Sequence, residues 1–259
     1  MTRHPTIIII SDYGTGDPAF TEVALKLWQL LPNARILPQS TPPFSTVNTG
    51  FWIYQLATTP AIKHTYVYSN TAPRKENTGI QKNNGGEKLM YAKLKNGFEL
   101  IAVNAGYCFA FVKPEIKEFC LVNISNEGSQ FRSRDIYPEA VAKIVRGDTS
   151  FRGEPVDPAT LPDYPKDVIA SIDGYGNIKT TTRRSEVNFT SGQKITITLN
   201  GKTEKAVFTD GTFHVADGTL AFAPGSSGHN DRFMEIFFRG GSAKKLFGNP
   251  CVESSFSLT

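Results

Sequence analysis

Two carboxylates, Asp12 and Asp17, flank a glycine-punctuated run, Ser11-Asp12-Tyr13-Gly14-Thr15-Gly16-Asp17-Pro18. Carboxylates accept hydrogen bonds and attract cations, so this loop suits a partner offering hydroxyls or positive charge: a ribose diol, an amine, a sulfonium or a metal ion. Gly14 to Ala19 also fits the loose dinucleotide spacing G-x-G-x-x-A, but the two aspartates would crowd a pyrophosphate placed there. Both have a structural reading as well, with Asp12 closing the turn and Asp17 capping a helix that has Pro18 at its first position. Three later segments carry polar groups next to turns. Asn104-Ala105-Gly106-Tyr107 follows a strand end, and Asp173-Gly174-Tyr175-Gly176-Asn177 is a glycine-rich turn that reads structurally as a hairpin or bulge. Phe131-Arg132-Ser133-Arg134-Asp135 reads as an extended run entering a helix, with Phe131, Ser133 and Asp135 on one side and the arginines on the other. Its structural reading is an Arg–Asp pair bracing the helix start. His4, His64, His214 and His229 all lie outside these segments, which gives little support to a Ser-His-Asp arrangement or a histidine-held metal, and no metal is expected.

The elements that must position these residues follow from the apolar pattern. Ile7 to Ile10 reads as a strand buried on both faces, as in the middle of a parallel sheet, with the Asp12/Asp17 loop at its carboxyl end, where open α/β sheets place their ligands. Helices are expected over Phe20–Leu31, ended by Pro32, over Phe51–Ala57, and over Ile136–Arg146, ended by Gly147. Strands are expected at Ala34–Leu37, Thr65–Tyr68, Leu89–Leu94, Glu99–Val103 and Phe119–Val122, and a long polar loop from Ser69 to Gly86. Strands alternating with helices imply a largely parallel, Rossmann-like sheet in an α/β domain over residues 1–153. A proline-rich linker spans 154–166, after which Ile195, Ile197 and Leu199 alternate with threonines. Asn200-Gly201, Asp210-Gly211 and Asp217-Gly218 then read as hairpin turns, so residues 167–259 are expected to form a smaller antiparallel all-β domain, a barrel, with its last strand at Phe233–Phe238 and a short helix at Ser242–Phe247.

Length and charge set outer bounds. A chain of 259 residues with a net charge of +4 can bury a substantial core, and with no Lys/Arg run longer than two it has no nucleic-acid arm. Cys108, Cys120 and Cys251 are odd in number and widely spaced, against a disulfide framework or a zinc site. The apolar run near the N-terminus is too short for a signal peptide or a membrane span, so a cytoplasmic protein without membrane or nucleic-acid partners is expected.

The order of the motifs carries more than any one of them. S-D-Y-G-T-x-D-P, Y-x-x-T (Tyr68 to Thr71), V-N-A-G, F-x-S-R-D, D-G-Y-G-N and the closing F-M-E-I-F-F-R-G-G-S-A together resemble the S-adenosylmethionine (SAM) hydroxide adenosyltransferases and the related fluorinases and chlorinases, along nearly the whole chain. The resemblance implies a Rossmann-like domain joined to a C-terminal barrel, and homotrimers that bind SAM between the first domain of one subunit and the barrel of the next. It places Asp12 in the adenosyl pocket, Asp17 on the ribose hydroxyls and Phe44 as an aromatic wall. Asn104 falls among the substrate-binding residues, Asp173 on the methionine amino group, Asn177 on the adenine edge and Arg232 on the methionine carboxylate. SAM is then a substrate, and no cofactor is implied.

The departures bear on the nucleophile. Hydroxide transferases of this family use an Asp, an Arg and a His in D-P-G-V-G and F-H-G-R-D motifs; here Tyr68 stands for the Asp and Arg132 for the His, while Arg74 matches the Arg. Tyr68, Thr71 and Ser133 resemble instead the tyrosine, threonine and serine that line the halide pocket of the halogenases, although Arg132 matches neither branch. The implied reaction is substitution at C5′ by halide or by water/hydroxide, halide slightly ahead, releasing L-methionine. The alternative is a SAM- or adenosine-binding protein of the same fold with altered chemistry. A nicotinamide-dependent oxidoreductase is less favoured, because Gln39 and Ser40 stand where an acidic residue would end the second strand.

Overall fold

The computed structural model describes residues 4–59, 63–71, 87–125, 131–211 and 214–259. The chain divides into two compact units, Met1–Asp163 and Tyr164–Thr259, each built on its own seven-stranded sheet.

In the first unit the isoleucine run forms β1 (Thr6–Ser11), with Ile7, Ile9 and Ile10 fully buried. Asp17 accepts from the Ala19 N–H at 2.8 Å and so starts α1 (Pro18–Leu30), whose Phe20, Val23, Ala24 and Leu27 form its buried stripe. β2 (Arg35–Ser40) lies at the sheet edge, which is why it can include Pro38 and run past the expected Leu37. Next come α2 (Thr46–Thr58, capped by Ser45), β3 (Thr65–Asn70), β4 (Leu89–Leu94), β5 (Glu99–Val103), β6 (Ile116–Val122), the single turn α3 (Arg132–Asp135), α4 (Tyr137–Arg146) and β7 (Arg152–Pro155). The sheet order is β2-β1-β3-β5-β4-β6-β7. β1, β2, β3 and β5 pair in parallel, whereas β4 runs against both β5 and β6, and β7 runs against β6. The sheet is therefore mixed rather than largely parallel. The cause is the short turn through Asn96-Gly97 between β4 and β5, which leaves no room for the crossover a parallel pair requires.

The second unit comprises β8 (Ile169–Ile172), β9 (Ile178–Arg183), β10 (Lys194–Leu199), β11 (Lys202–Phe208), β12 (Leu220–Pro224), β13 (Phe233–Phe238), the turn of helix α5 (Ala243–Leu246) and β14 (Phe256–Leu258). The order is β14-β10-β11-β12-β13-β9-β8, and an isolated Val168–Ser255 bridge joins the two outermost strands beyond their ladders. Phe208, Phe222, Met234, Ile236 and Phe247 fill its core. Asn200-Gly201, both at positive φ (52° and 72°), makes the expected tight hairpin between β10 and β11. Asp210-Gly211 and Asp217-Gly218 do not make hairpins: both fall in the connection from β11 to β12, and those strands run parallel.

No helix among the described residues is long and apolar enough to cross a membrane.

Candidate active site

The register of the first sheet decides which loops meet. Ser11 at the end of β1 lies opposite Ser40 of β2 and Asn70 of β3, and Ser69 lies opposite Ala102 of β5. Four parallel strands thus end at one edge, and the segments leaving them carry Asp12, Phe44, Thr71 and Asn104. Hydrogen bonds knit these segments together. Asp12 Oδ2 accepts from the Phe44 N–H at 2.9 Å, and the Thr41 N–H donates to Ser11 O at 2.9 Å. Phe44 is left-handed (φ 62°) with its ring half exposed, a conformation that costs a phenylalanine free energy and persists because its surroundings impose it. Gly106 packs so closely on α2 that a Cβ there would sit 2.5 Å from Thr46 Oγ1. Asp17 caps α1 at the exposed tip of the loop, Asn104 is half-buried, and Arg74 falls outside the described residues.

Behind the Asp12 loop lies a buried cluster of hydroxyls. Tyr68, 1% exposed, donates to the Ser133 carbonyl at 2.7 Å. Tyr13 donates to Ser133 Oγ at 2.5 Å and accepts from Asn70 Nδ2 at 3.2 Å. Burial pushes the phenols of Tyr13 and Tyr68 above their ordinary range, Tyr68 most strongly, so both are neutral O–H donors across the physiological pH range. Tyr13 stands edge-on to Phe20 (5.1 Å) and Phe131 (5.8 Å), which hold its ring in place.

Ser133 reaches this cluster because Phe131–Asp135 is not extended. The Asp135 N–H donates to Phe131 O and the Ile136 N–H to Arg132 O, so the segment is a turn of helix and its side chains fan outward instead of alternating. Ser133 points inward. Arg134 faces outward, paired with Asp135 through two bonds and with Glu22 of α1 at 2.8 Å, so the bracing pair expected on structural grounds is present. Arg132 lies over the Tyr137 ring at 5.0 Å, and its Nε is buried without a hydrogen-bond partner among the described residues.

A second hydroxyl row lines the α2 side of the same strand end. Thr49 Oγ1 bonds to Thr71 Oγ1 at 3.0 Å, and Ser69 Oγ is buried with no partner among the described residues. Of the three residues matched to a halide pocket, Tyr68 and Ser133 therefore touch, while Thr71 is tied to Thr49. Sequence reasoning did not single out Tyr13, Asn70, Thr49 or Ser69. Tyr13 stood in the open within the first motif, but its partner lies 120 residues away.

In the second unit Asp173, Asn177 and Arg232 line one cleft of about 850 Å³. Asp173 Oδ1 accepts from the Tyr175 and Asn177 N–H groups, both at 3.0 Å, and Oδ2 from Asn177 Nδ2 at 2.9 Å, so this carboxylate shapes its own turn. Arg232 is exposed. The cleft is also lined by Lys179 of β9 and Glu235 of β13, which form a buried ion pair, and Lys179 also donates to Ser226 Oγ at 3.2 Å. Their signal was a lone lysine among threonines and a lone glutamate in an apolar strand. His214, set aside above, also lines this cleft.

No protein-family profile matches the chain. Over 119 residues it is 28% identical to the (R)-S-adenosyl-L-methionine hydrolase of Methanocaldococcus jannaschii, a stretch that covers 44% of each chain. The match thus spans less than half the length of this curated relative. Two crystal structures share the fold along the whole chain. An uncharacterized conserved protein from Thermotoga maritima has a TM-score of 0.78, 17% identity and coverage of 97% of this chain and 99% of that one. A conserved hypothetical protein from Thermus thermophilus has a TM-score of 0.69, 17% identity and coverage of 99% and 100%. The relative agrees with the motif order: the chain resembles the SAM hydrolase and halogenase-like family.

Proposed function

We propose that this protein cleaves SAM at the C5′–S bond, transferring the adenosyl group to a small nucleophile, with halide ahead of water. The observation that carries this reading is the meeting, at one sheet edge, of the Asp12 loop with the buried Tyr13–Ser133–Tyr68 cluster. An anion attacks C5′ in line with the sulfonium sulfur; the new bond forms as the C5′–S pair leaves on sulfur, and methionine departs as a neutral thioether that needs no acid. Opposite charges on nucleophile and substrate disappear as the transition state forms, so a dry pocket favours the step if a few O–H donors replace the nucleophile's water. In-line positioning can supply on the order of 7 kcal/mol or more of the barrier reduction. Halide is placed ahead because the cluster consists of neutral donors: Tyr13 and Tyr68 are poor bases at physiological pH, and an attacking water would need one.

In this reading Asp12 and Asp17 grip the ribose side of SAM, Phe44 covers it, and Asn104 borders the pocket. The cleft of Asp173, Asn177 and Arg232, contributed by another copy in a homotrimer, holds the methionine and adenine ends. Incubating the protein with SAM in chloride, fluoride or halide-free buffer and resolving the products by chromatography tests the chemistry; absence of methionine release under every condition overturns it. Mixing an Asp12→Ala with an Arg232→Ala variant tests the assembly, since shared sites regain activity in mixed trimers and private ones do not.

Arg132 favours a second reading, a nucleoside-binding protein without turnover, because a guanidinium next to Ser133 opposes a sulfonium. Calorimetry showing SAM or adenosine binding with no product would select it.

A further inference from the structure

Ser133 and Tyr13 form a directed chain of hydrogen bonds. Asn70 Nδ2 donates to Tyr13 Oη at 3.2 Å, and Tyr13 Oη donates to Ser133 Oγ at 2.5 Å. The amide nitrogen can only donate, so it takes a lone pair of the phenol and leaves the phenol proton for Ser133. Ser133 Oγ, already accepting, keeps its own proton, and no acceptor for that proton is found among the described residues. Tyr68 is not a competitor for it, since it bonds to the Ser133 backbone carbonyl rather than to Oγ. Donors aligned in series polarise one another, so the last O–H in the row is a better donor than an isolated serine.

We propose, building on the function above, that Tyr13 is a positioning residue that biases nucleophile choice: by donating to one of the two lone pairs of Ser133 Oγ it orients and polarises the Ser133 hydroxyl as a donor toward an anion. A halide gains from such a donor. A water molecule, which must lose a proton during attack, finds no base in a neutral serine hydroxyl polarised as a donor. The bonds made and broken stay those of the substitution itself, and neither Tyr13 nor Ser133 changes its proton count. The ring contacts of Tyr13 with Phe20 and Phe131 involve no hydroxyl, so Tyr13→Phe removes the chain of donors and keeps the packing.

The test compares wild type, Tyr13→Phe, Ser133→Ala and the double variant. The expected result is a rise of up to about tenfold in the halide KM for Tyr13→Phe, the upper scale of one neutral hydrogen bond. The product ratio shifts toward adenosine, and the dissociation constant for SAM changes by less than about twofold. The double variant is no worse than Ser133→Ala alone, because Tyr13 acts through Ser133. Unchanged halide dependence in Tyr13→Phe, or losses that multiply in the double variant, overturns the proposal. A readout free of turnover uses bromide-soaked crystals: an anomalous peak beside Ser133 Oγ in wild type that weakens in Tyr13→Phe supports it, and a peak of equal height in both, or in neither, overturns it. If wild type releases no methionine, the proposed function falls by itself, while the bromide comparison still decides the role of Tyr13.

Discussion

The carboxylate of Asp12 holds the backbone N–H of Phe44 at 2.9 Å, and Phe44 there is left-handed with φ 62°. One hydrogen bond thus joins the loops after β1 and β2 and presents an aromatic ring, half exposed, beside a carboxylate. Left-handed backbone costs a residue with a Cβ about 1–2 kcal/mol, and little apolar burial repays it at a ring so exposed.

Phe44→Gly separates stability from binding. Glycine relieves the left-handed strain but adds about 0.5–1 kcal/mol of backbone entropy cost, so the melting temperature is expected to stay level or rise slightly. Affinity for SAM is expected to fall if Phe44 covers the ligand as in the proposed function. Thermal denaturation and calorimetry on one preparation check both halves, and a clear drop in melting temperature would count against strain at Phe44.

The buried phenols set an alkaline limit. Tyr13, Tyr68 and Tyr137 all have pKa values raised first by burial, above an unfolded value of about 10. A raised folded pKa means the native state holds the proton more tightly, so this contribution to stability is complete below about pH 10 and is lost as pH rises toward the folded values. Absorbance at 295 nm should therefore show the exposed tyrosines ionising first. These three should ionise only as circular dichroism reports unfolding, and smooth ionisation of all tyrosines in a native protein would contradict their burial.

The Gly176 turn makes a third case. Its φ is +88°, and a Cβ there would stand 2.0 Å from Ser242 Oγ, the cap of α5. Gly176→Ala is expected to lower stability by at least about 1–2 kcal/mol from the backbone alone, with the clash in addition. Adding Ser242→Gly should recover the clash and leave the backbone penalty. Equal stability of wild type and Gly176→Ala would show that the turn is not held against α5.

What the sequence displayed well was local. The isoleucine strand, the Asp17-Pro18 helix start, the Asn200-Gly201 hairpin and the strand at Phe233–Phe238 depend on neighbours in the chain, and each formed as patterned. The mixed direction of the first sheet was harder to read, because a strand run is the same in either direction and only the brevity of the β4–β5 turn tells them apart. The pattern of Phe131–Asp135 suggests an extended run, where the structure has a helical turn, because five residues are too few to distinguish a period of two from one of 3.6. The site had the same limit. Asp12 announced itself through its loop, but Tyr13 gains its chemical meaning only from Ser133, and no local pattern links residues 120 apart.

The ion pair between Lys179 and Glu235 shows how such a long-range relationship can be tested. Lys179 is 8% exposed and Glu235 5%, and the Ser226 N–H also donates to Glu235 Oε1 at 3.2 Å, so the glutamate is held from β9 and from the loop after β12. Removing one member strands a charge in a poorly solvated place, at a cost of about 3–5 kcal/mol, whereas replacing both with apolar groups removes the desolvation cost along with the attraction. Lys179→Met alone should therefore lower the denaturant midpoint strongly. Lys179→Met combined with Glu235→Leu should return most of the loss, with an unchanged m-value. Additive losses in the double variant would mean that the two residues stabilise the second sheet independently, and that the pair does not form the cleft wall as a unit.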